Sequence, residues 1–202
     1  MIVTYEMLKE SLVDYKAKDI KIKRMSDSNE IIKLTRNLYE TDKNVPGHLV
    51  ANAIYSPSYL SFDFALSYYG LIPEAVHNYT SATFKKGKKK KYINPLGTFF
   101  YQDVPSHIFP FGISIINEAD RTFLIATPEK ALCDKLYTLK PVSNKKEMYD
   151  LLFNDLRIEI NELLNLNLDD LFILCENYKS TNMNFLKKIL GDLNENSSRT
   201  ND

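Results

Sequence analysis

The sequence predicts an α+β fold: a small N-terminal module, a mixed β-sheet domain with flanking helices, and a C-terminal helical layer. Three observations predict it. Residues 5–41 read as helix, short basic helix and hairpin. Four stretches between Tyr79 and Ala126 are rich in β-branched and aromatic residues. From Thr127 onward the apolar spacing becomes helical and stays so to Leu190. Apolar residues make up 44% of the chain, enough to bury a core.

In the first module, Leu8, Leu12 and Tyr15 form one stripe of a helix over Tyr5–Tyr15. Ile20, Ile22 and Met25 lie among Lys21, Lys23 and Arg24 in a short basic helix, Lys18–Met25. Glu30–Leu34 and Leu38–Thr41 read as strands around the turn Thr35-Arg36-Asn37, where Asn tolerates positive φ. Together these elements suggest a reduced winged helix-turn-helix over residues 1–44, with the hairpin as wing. Asp42–Gly47 (DKNVPG) marks the domain boundary, and residues 45–191 form the second domain.

The second domain opens with a helix over His48–Tyr55. Pro57–Glu74 (PSYLSFDFALSYYGLIPE) then carries the most explicit local grammar in the chain. Ser61 can cap a helix whose Phe62, Ala65, Leu66 and Tyr69 share a face. Gly70 can supply the left-handed residue that ends it, with Leu71 as the apolar residue beyond and Pro73 forbidding continuation. Strands follow at Tyr79–Phe84, Thr98–Val104, Ile113–Asn117 and Thr122–Ala126. The lysine run between the first two reads as a long hairpin or loop tip. Thr127, Pro128 and Glu129 start a helix that Pro141 stops. Lys145–Leu190 holds three or four more helices, and residues 192–202 read as a disordered tail.

Charge is unevenly spread although 26 bases balance 26 acids. Phe84–Tyr92 holds six lysines and no acid, whereas from Glu147 onward eleven acids face five bases. No apolar run is long enough to span a membrane, and the N-terminal stretch lacks the basic start and apolar core of a signal peptide, so a cytoplasmic protein is expected. Cys133 and Cys175 read as buried reduced thiols. His48, His77 and His107 occur singly, and no dinucleotide, P-loop or nucleophile-elbow motif is present. Glu-x-Lys occurs nowhere, which argues against one large class of metal-dependent nucleases. Glu129 and Asp134 read as a dipole complement and a solvated face. No catalytic residue, metal or cofactor is expected.

Two basic segments are candidates for phosphate contact. One is the run Lys85, Lys86, Lys88, Lys89, Lys90 and Lys91. The other comprises Lys18, Lys21, Lys23 and Arg24 on the short helix with Lys33 and Arg36 on or beside the wing, diluted by Asp14, Asp19, Asp27 and Glu30. An alternative is a protein- or RNA-binding module that does not bind DNA and uses an aromatic face of Tyr59, Tyr68 and Tyr69.

Read in order, LTRNLYETD (34–42), PSYLSFDFALSYYGLIPE (57–74), YTSATF (79–84), LGTFFYQDVP (96–105) and IATPEKALCDKLY (125–137) resemble the AbiEi family, antitoxins of type IV, abortive-infection toxin–antitoxin systems. The first resembles the end of that family's N-terminal winged helix, with Arg36–Tyr39 at its wing motif and Asn37 where a Gly is usual; the others resemble its antitoxin domain. The resemblance implies a transcriptional regulator that binds inverted repeats in its own promoter. It also implies neutralisation of a nucleotidyltransferase-type toxin without a stable complex.

Overall fold

In the structure, a computed structural model, the backbone is described for residues 1–199 and side chains for residues 1–193. The chain begins with β1 (Ile2–Thr4), a strand too short to show a period in sequence. It continues through α1 (Tyr5–Ser11), α2 (Lys18–Asp27), β2 (Ile32–Thr35) and β3 (Leu38–Glu40). Thr4 caps α1 by accepting a hydrogen bond from the Met7 N–H at 3.2 Å. α1 stops at Ser11, short of the predicted Tyr15, as Leu12 leaves helical geometry. The strands form an antiparallel sheet in the order β1-β3-β2, so the predicted hairpin exists and β1 adds a third strand.

That small sheet is buried on both faces. Alternate residues of a strand point to opposite sides. Val3 and Tyr39 pack with Leu8, Ile22 and Ile31 in a small core beneath the helices. Ile32 and Leu34 belong instead to the main core, and Ile2 and Leu38 pack against it. Glu40, on the same side as Leu38, is fully buried. Its carboxylate accepts two hydrogen bonds from Arg121, at 2.7 and 3.1 Å, one from the Asp42 N–H at 2.9 Å, and one from the N-terminal amine. The 42–47 connection is packed too: Val45 is buried and the Gly47 N–H donates to the Tyr79 hydroxyl at 3.2 Å.

The second part contains α3 (His48–Ile54), β4 (Tyr59–Leu60), α4 (Phe62–Tyr68), β5 (Tyr79–Thr83), β6 (Lys90–Asn94), β7 (Gly97–Asp103), β8 (Ile113–Glu118), β9 (Arg121–Ala126) and α5 (Pro128–Thr138). Its mixed six-stranded sheet has the order β6-β7-β5-β4-β9-β8. β5 pairs parallel with β7, so the lysine run is not the tip of a hairpin joining them. The run crosses over and enters β6, an edge strand that pairs antiparallel with β7. β4, only two residues long and fully buried, bridges β5 and β9.

α4 ends as its sequence predicts and begins differently. At its end Gly70 has φ +73°, and the Leu71 N–H reaches the Leu66 carbonyl at 2.9 Å. At its start the Ser61 side chain makes no cap bond. The Thr80 hydroxyl of β5 takes that role, accepting from the Phe64 N–H at 3.1 Å and donating to the Ser61 carbonyl at 2.6 Å. Phe62 at the first helical position has φ +56°, a conformation unfavourable for an aromatic residue.

α5 starts as its sequence predicts, with Thr127 accepting from the Lys130 N–H at 3.3 Å. The helical layer then comprises α6 (Lys145–Asp150), a π-helical turn (Leu151–Asp155), α7 (Ile160–Leu164), α8 (Leu168–Tyr178) and α9 (Thr181–Arg199). α9 continues through most of the segment read as a disordered tail. A helix already nucleated and packed propagates cheaply, and Asp192 pairs with Lys145 of α6. The final three residues of that segment lie outside the described ones.

Two outcomes test these contacts. Thr80→Val removes the borrowed cap and lowers stability by about 1 kcal/mol in urea unfolding. Burial raises the Glu40 carboxyl pKa, but the hydrogen bonds from Arg121, the N-terminal amine and the Asp42 N–H outweigh it and hold the group at about 2, below its ordinary 4.5. The unfolded chain therefore takes up this proton first, and the contribution is lost as pH falls from 4.5 towards about 2. Glu40→Gln flattens the unfolding midpoint across that window.

Candidate functional site

The sheet and helical layers meet at a buried polar cluster that sequence spacing did not reveal. Lys130 and Asp134 lie one turn apart on α5, and both are fully buried. Asp134 is thus not on a solvated face, and Glu129, also buried, accepts from the Asn167 N–H at 2.9 Å. One Asp134 oxygen accepts from Lys130 Nζ at 2.9 Å and from the Tyr178 hydroxyl of α8. The other accepts from the Tyr59 hydroxyl at 3.0 Å and from Ser61 Oγ at 2.6 Å. These donors use the carboxylate's full capacity of about four hydrogen bonds.

The Lys130 ammonium also donates to the Tyr178 hydroxyl and sits over the rings of Tyr178 and Tyr59, at 4.7 and 5.6 Å from their centroids. Burial lowers its pKa, with Asp134 opposing the shift. Burial and the Asp134 charge raise the pKa of both tyrosines. A saturated cluster sealed from water is a structural lock rather than an acid–base site. It joins Tyr59 and Ser61 of stretch 57–74 to Lys130 and Asp134 of stretch 125–137, two of the segments that carry the family resemblance. The signal available in sequence was Lys130 and Asp134 at i, i+4 on a helix otherwise lined with Ala131, Leu132, Cys133 and Leu136.

The aromatic face does not survive as a unit. Tyr59 is fully buried, committed to Asp134 and packed on Phe109 at 5.0 Å between ring centroids, so it cannot meet a partner. Tyr68 is 46% exposed, and Tyr69 is half-buried with its ring 5.2 Å from that of Tyr68. Among the histidines, His48 Nε2 lies 2.8 Å from a Glu118 oxygen, and His107 Nε2 bonds the Asn177 carbonyl at 3.0 Å.

The lysine run is held by its backbone. Asp103 at the end of β7 accepts from Thr83 Oγ1 at 2.6 Å and from the Lys86 and Gly87 N–H groups at 2.8 Å each. Burial pushes this carboxyl up, but those hydrogen bonds hold it below its ordinary value. Lys85, Lys88 and Lys89 project from this shaped loop as exposed side chains. Lys86 folds back, its Nζ 3.0 Å from the Ser56 carbonyl and over the Tyr55 ring. Lys90 is half-buried, and Lys91 is exposed over the Phe100 ring.

In the N-terminal module, Lys23, Arg24, Lys33 and Arg36 are exposed. Lys23 and Lys33 line one surface groove of about 330 Å³ with Tyr5, Asp19 and Asp27. Lys18 and Lys21 are half-buried and partly committed: Lys18 donates to the Lys9 carbonyl at 2.9 Å, and Lys21 lies 3.9 Å from a Glu30 oxygen. β2, which carries Lys33, lies against β6, which carries Lys90 and Lys91. Two basic segments distant in sequence thus become neighbours.

Among the described residues no group of three or more His, Cys, Asp or Glu is placed to hold a metal ion, and no helix is long and apolar enough to cross a membrane. Comparison with known protein families and with curated proteins finds no match. Breaking the lock on one side leaves a buried charge unpaired. Lys130→Met and Asp134→Leu are each expected to cost about 3–5 kcal/mol in denaturant unfolding. The double variant costs less than their sum, because it removes both charges together.

Proposed function

We propose that this chain is a non-enzymatic cytoplasmic regulator, an AbiEi-like antitoxin that neutralises a nucleotidyltransferase-type toxin and represses its own operon by binding DNA. The observation that supports the DNA-binding half most is the packing of β2 against β6, which brings the wing strand beside the strand that carries Lys90 and Lys91. The element order β1-α1-α2-β2-β3, with β3 central in its sheet, fits a winged helix lacking its first helix. In that reading α2 is the recognition helix, presenting Lys23 and Arg24, and Lys33 and Arg36 sit on the wing. Lysines on a preshaped loop meet phosphates through counterion release, which gives affinity without sequence information. The antitoxin half is supported by the resemblance of residues 57–137 and by the joining of two of its stretches at Asp134. The alternative aromatic-face module is weakened by the burial of Tyr59.

The test is a mobility shift with DNA from upstream of the chain's own gene, titrated with salt. Each lysine that meets a phosphate contributes about 0.9 to the slope of log affinity against log salt. Replacing Lys33, Arg36, Lys88 and Lys89 by serine flattens that slope and weakens binding. No shift at low salt, or an unchanged slope in the variant, removes the repressor reading. Growth rescue on co-expression with a neighbouring nucleotidyltransferase tests the antitoxin reading separately.

A further inference from the structure

The two edges of the large sheet are built differently. β6 at one edge carries Lys90 and Lys91, the kind of charged edge that resists pairing with another strand. β8 at the other edge (Ile113-Ser114-Ile115-Ile116-Asn117-Glu118) has no lysine, arginine or proline. It is six residues long and pairs with β9 along its whole length, without a bulge. The Thr127 N–H bonds the Gly112 carbonyl at 2.8 Å, which sets the alternation of the antiparallel ladder. Ser114, Ile116 and Glu118 therefore turn their backbone groups towards β9. Ile113, Ile115 and Asn117 turn theirs outward, and Ile115 leaves 68% of its surface exposed.

We propose that β8 is a self-association edge, pairing antiparallel with β8 of a second copy about a two-fold axis at Ile115. In that register Ile115 faces its own copy and Ile113 faces Asn117 of the partner, so each outward N–H finds a carbonyl. Ser114 then lies opposite Ile116. The acids Glu118 and Asp120 cluster at one end of β8, and antiparallel pairing carries them to opposite ends of the joint. No like charges meet, and Glu118 is already engaged by His48. A two-fold axis needs a patch complementary to itself, which an uncharged antiparallel strand with an apolar centre provides. The two large sheets would join into one continuous sheet. A single strand pair buries little surface, so the dimer is weak and depends on concentration.

Sedimentation equilibrium of the full chain without DNA tests this independently of the proposed function. The unmodified chain shows a reversible monomer–dimer equilibrium. Ile115→Lys brings two like charges together at the axis and weakens the dimer by roughly tenfold or more. Ile115→Pro removes an outward N–H without touching the β9 ladder and has the same effect. Ile93→Lys, at an equally exposed site on the β6 edge, leaves it unchanged. Thermal unfolding verifies that all three variants fold. A chain that stays monomeric at every concentration overturns the proposal, as does a dimer that resists both β8 substitutions.

Discussion

The carboxylate of Asp134 is the interaction on which the rest of the structure depends. A charge in a dry interior is tolerated only when paired and hydrogen-bonded to capacity. Here the donors come from β4, the start of α4, α5 itself and the end of α8. Satisfying one side chain therefore fixes the sheet, the α4 helix and the C-terminal layer relative to one another. It also accounts for Ser61, which gives up capping α4 to serve Asp134 while Thr80 supplies the cap.

Glu40 plays the corresponding part at the N-terminal end. Its bonds to Arg121 hold the first module against the β8–β9 hairpin, while the chain's own amine pairs with it from within the module. Burial of the small sheet on both faces reinforces that hold. The small sheet is sandwiched between the core under α1 and α2 and the main core. The first module and the large sheet therefore keep a constant relation.

The lysine loop and the two sheet edges follow the same logic of backbone control over charge. Asp103 fixes the path of the loop through hydrogen bonds to its main chain, and the side chains of Lys85, Lys88 and Lys89 stay exposed to solvent. β6 carries charge at its edge, and β8 carries apolar residues with outward backbone groups. The sheet thus presents one guarded side and one open side.

The sequence by itself determined what depends on near neighbours. The end of α4 at Gly70, the start of α5 at Thr127 and Pro128, the hairpin after α2 and the four principal strands were legible because caps, turns and periodicity act over a few residues. Only the tertiary structure decided what Tyr59, Lys130 and Asp134 do, since a buried charge and a solvated one have the same spelling. β1 and β4 are three and two residues long, too short to show a period, and exist because neighbouring strands supply their partners. The adjacency of β2 and β6, and the choice of Thr80 over Ser61 as a cap, likewise arise from long-range packing. Local rules specify segments; which side chains share an interior is set by where the whole chain closes upon itself.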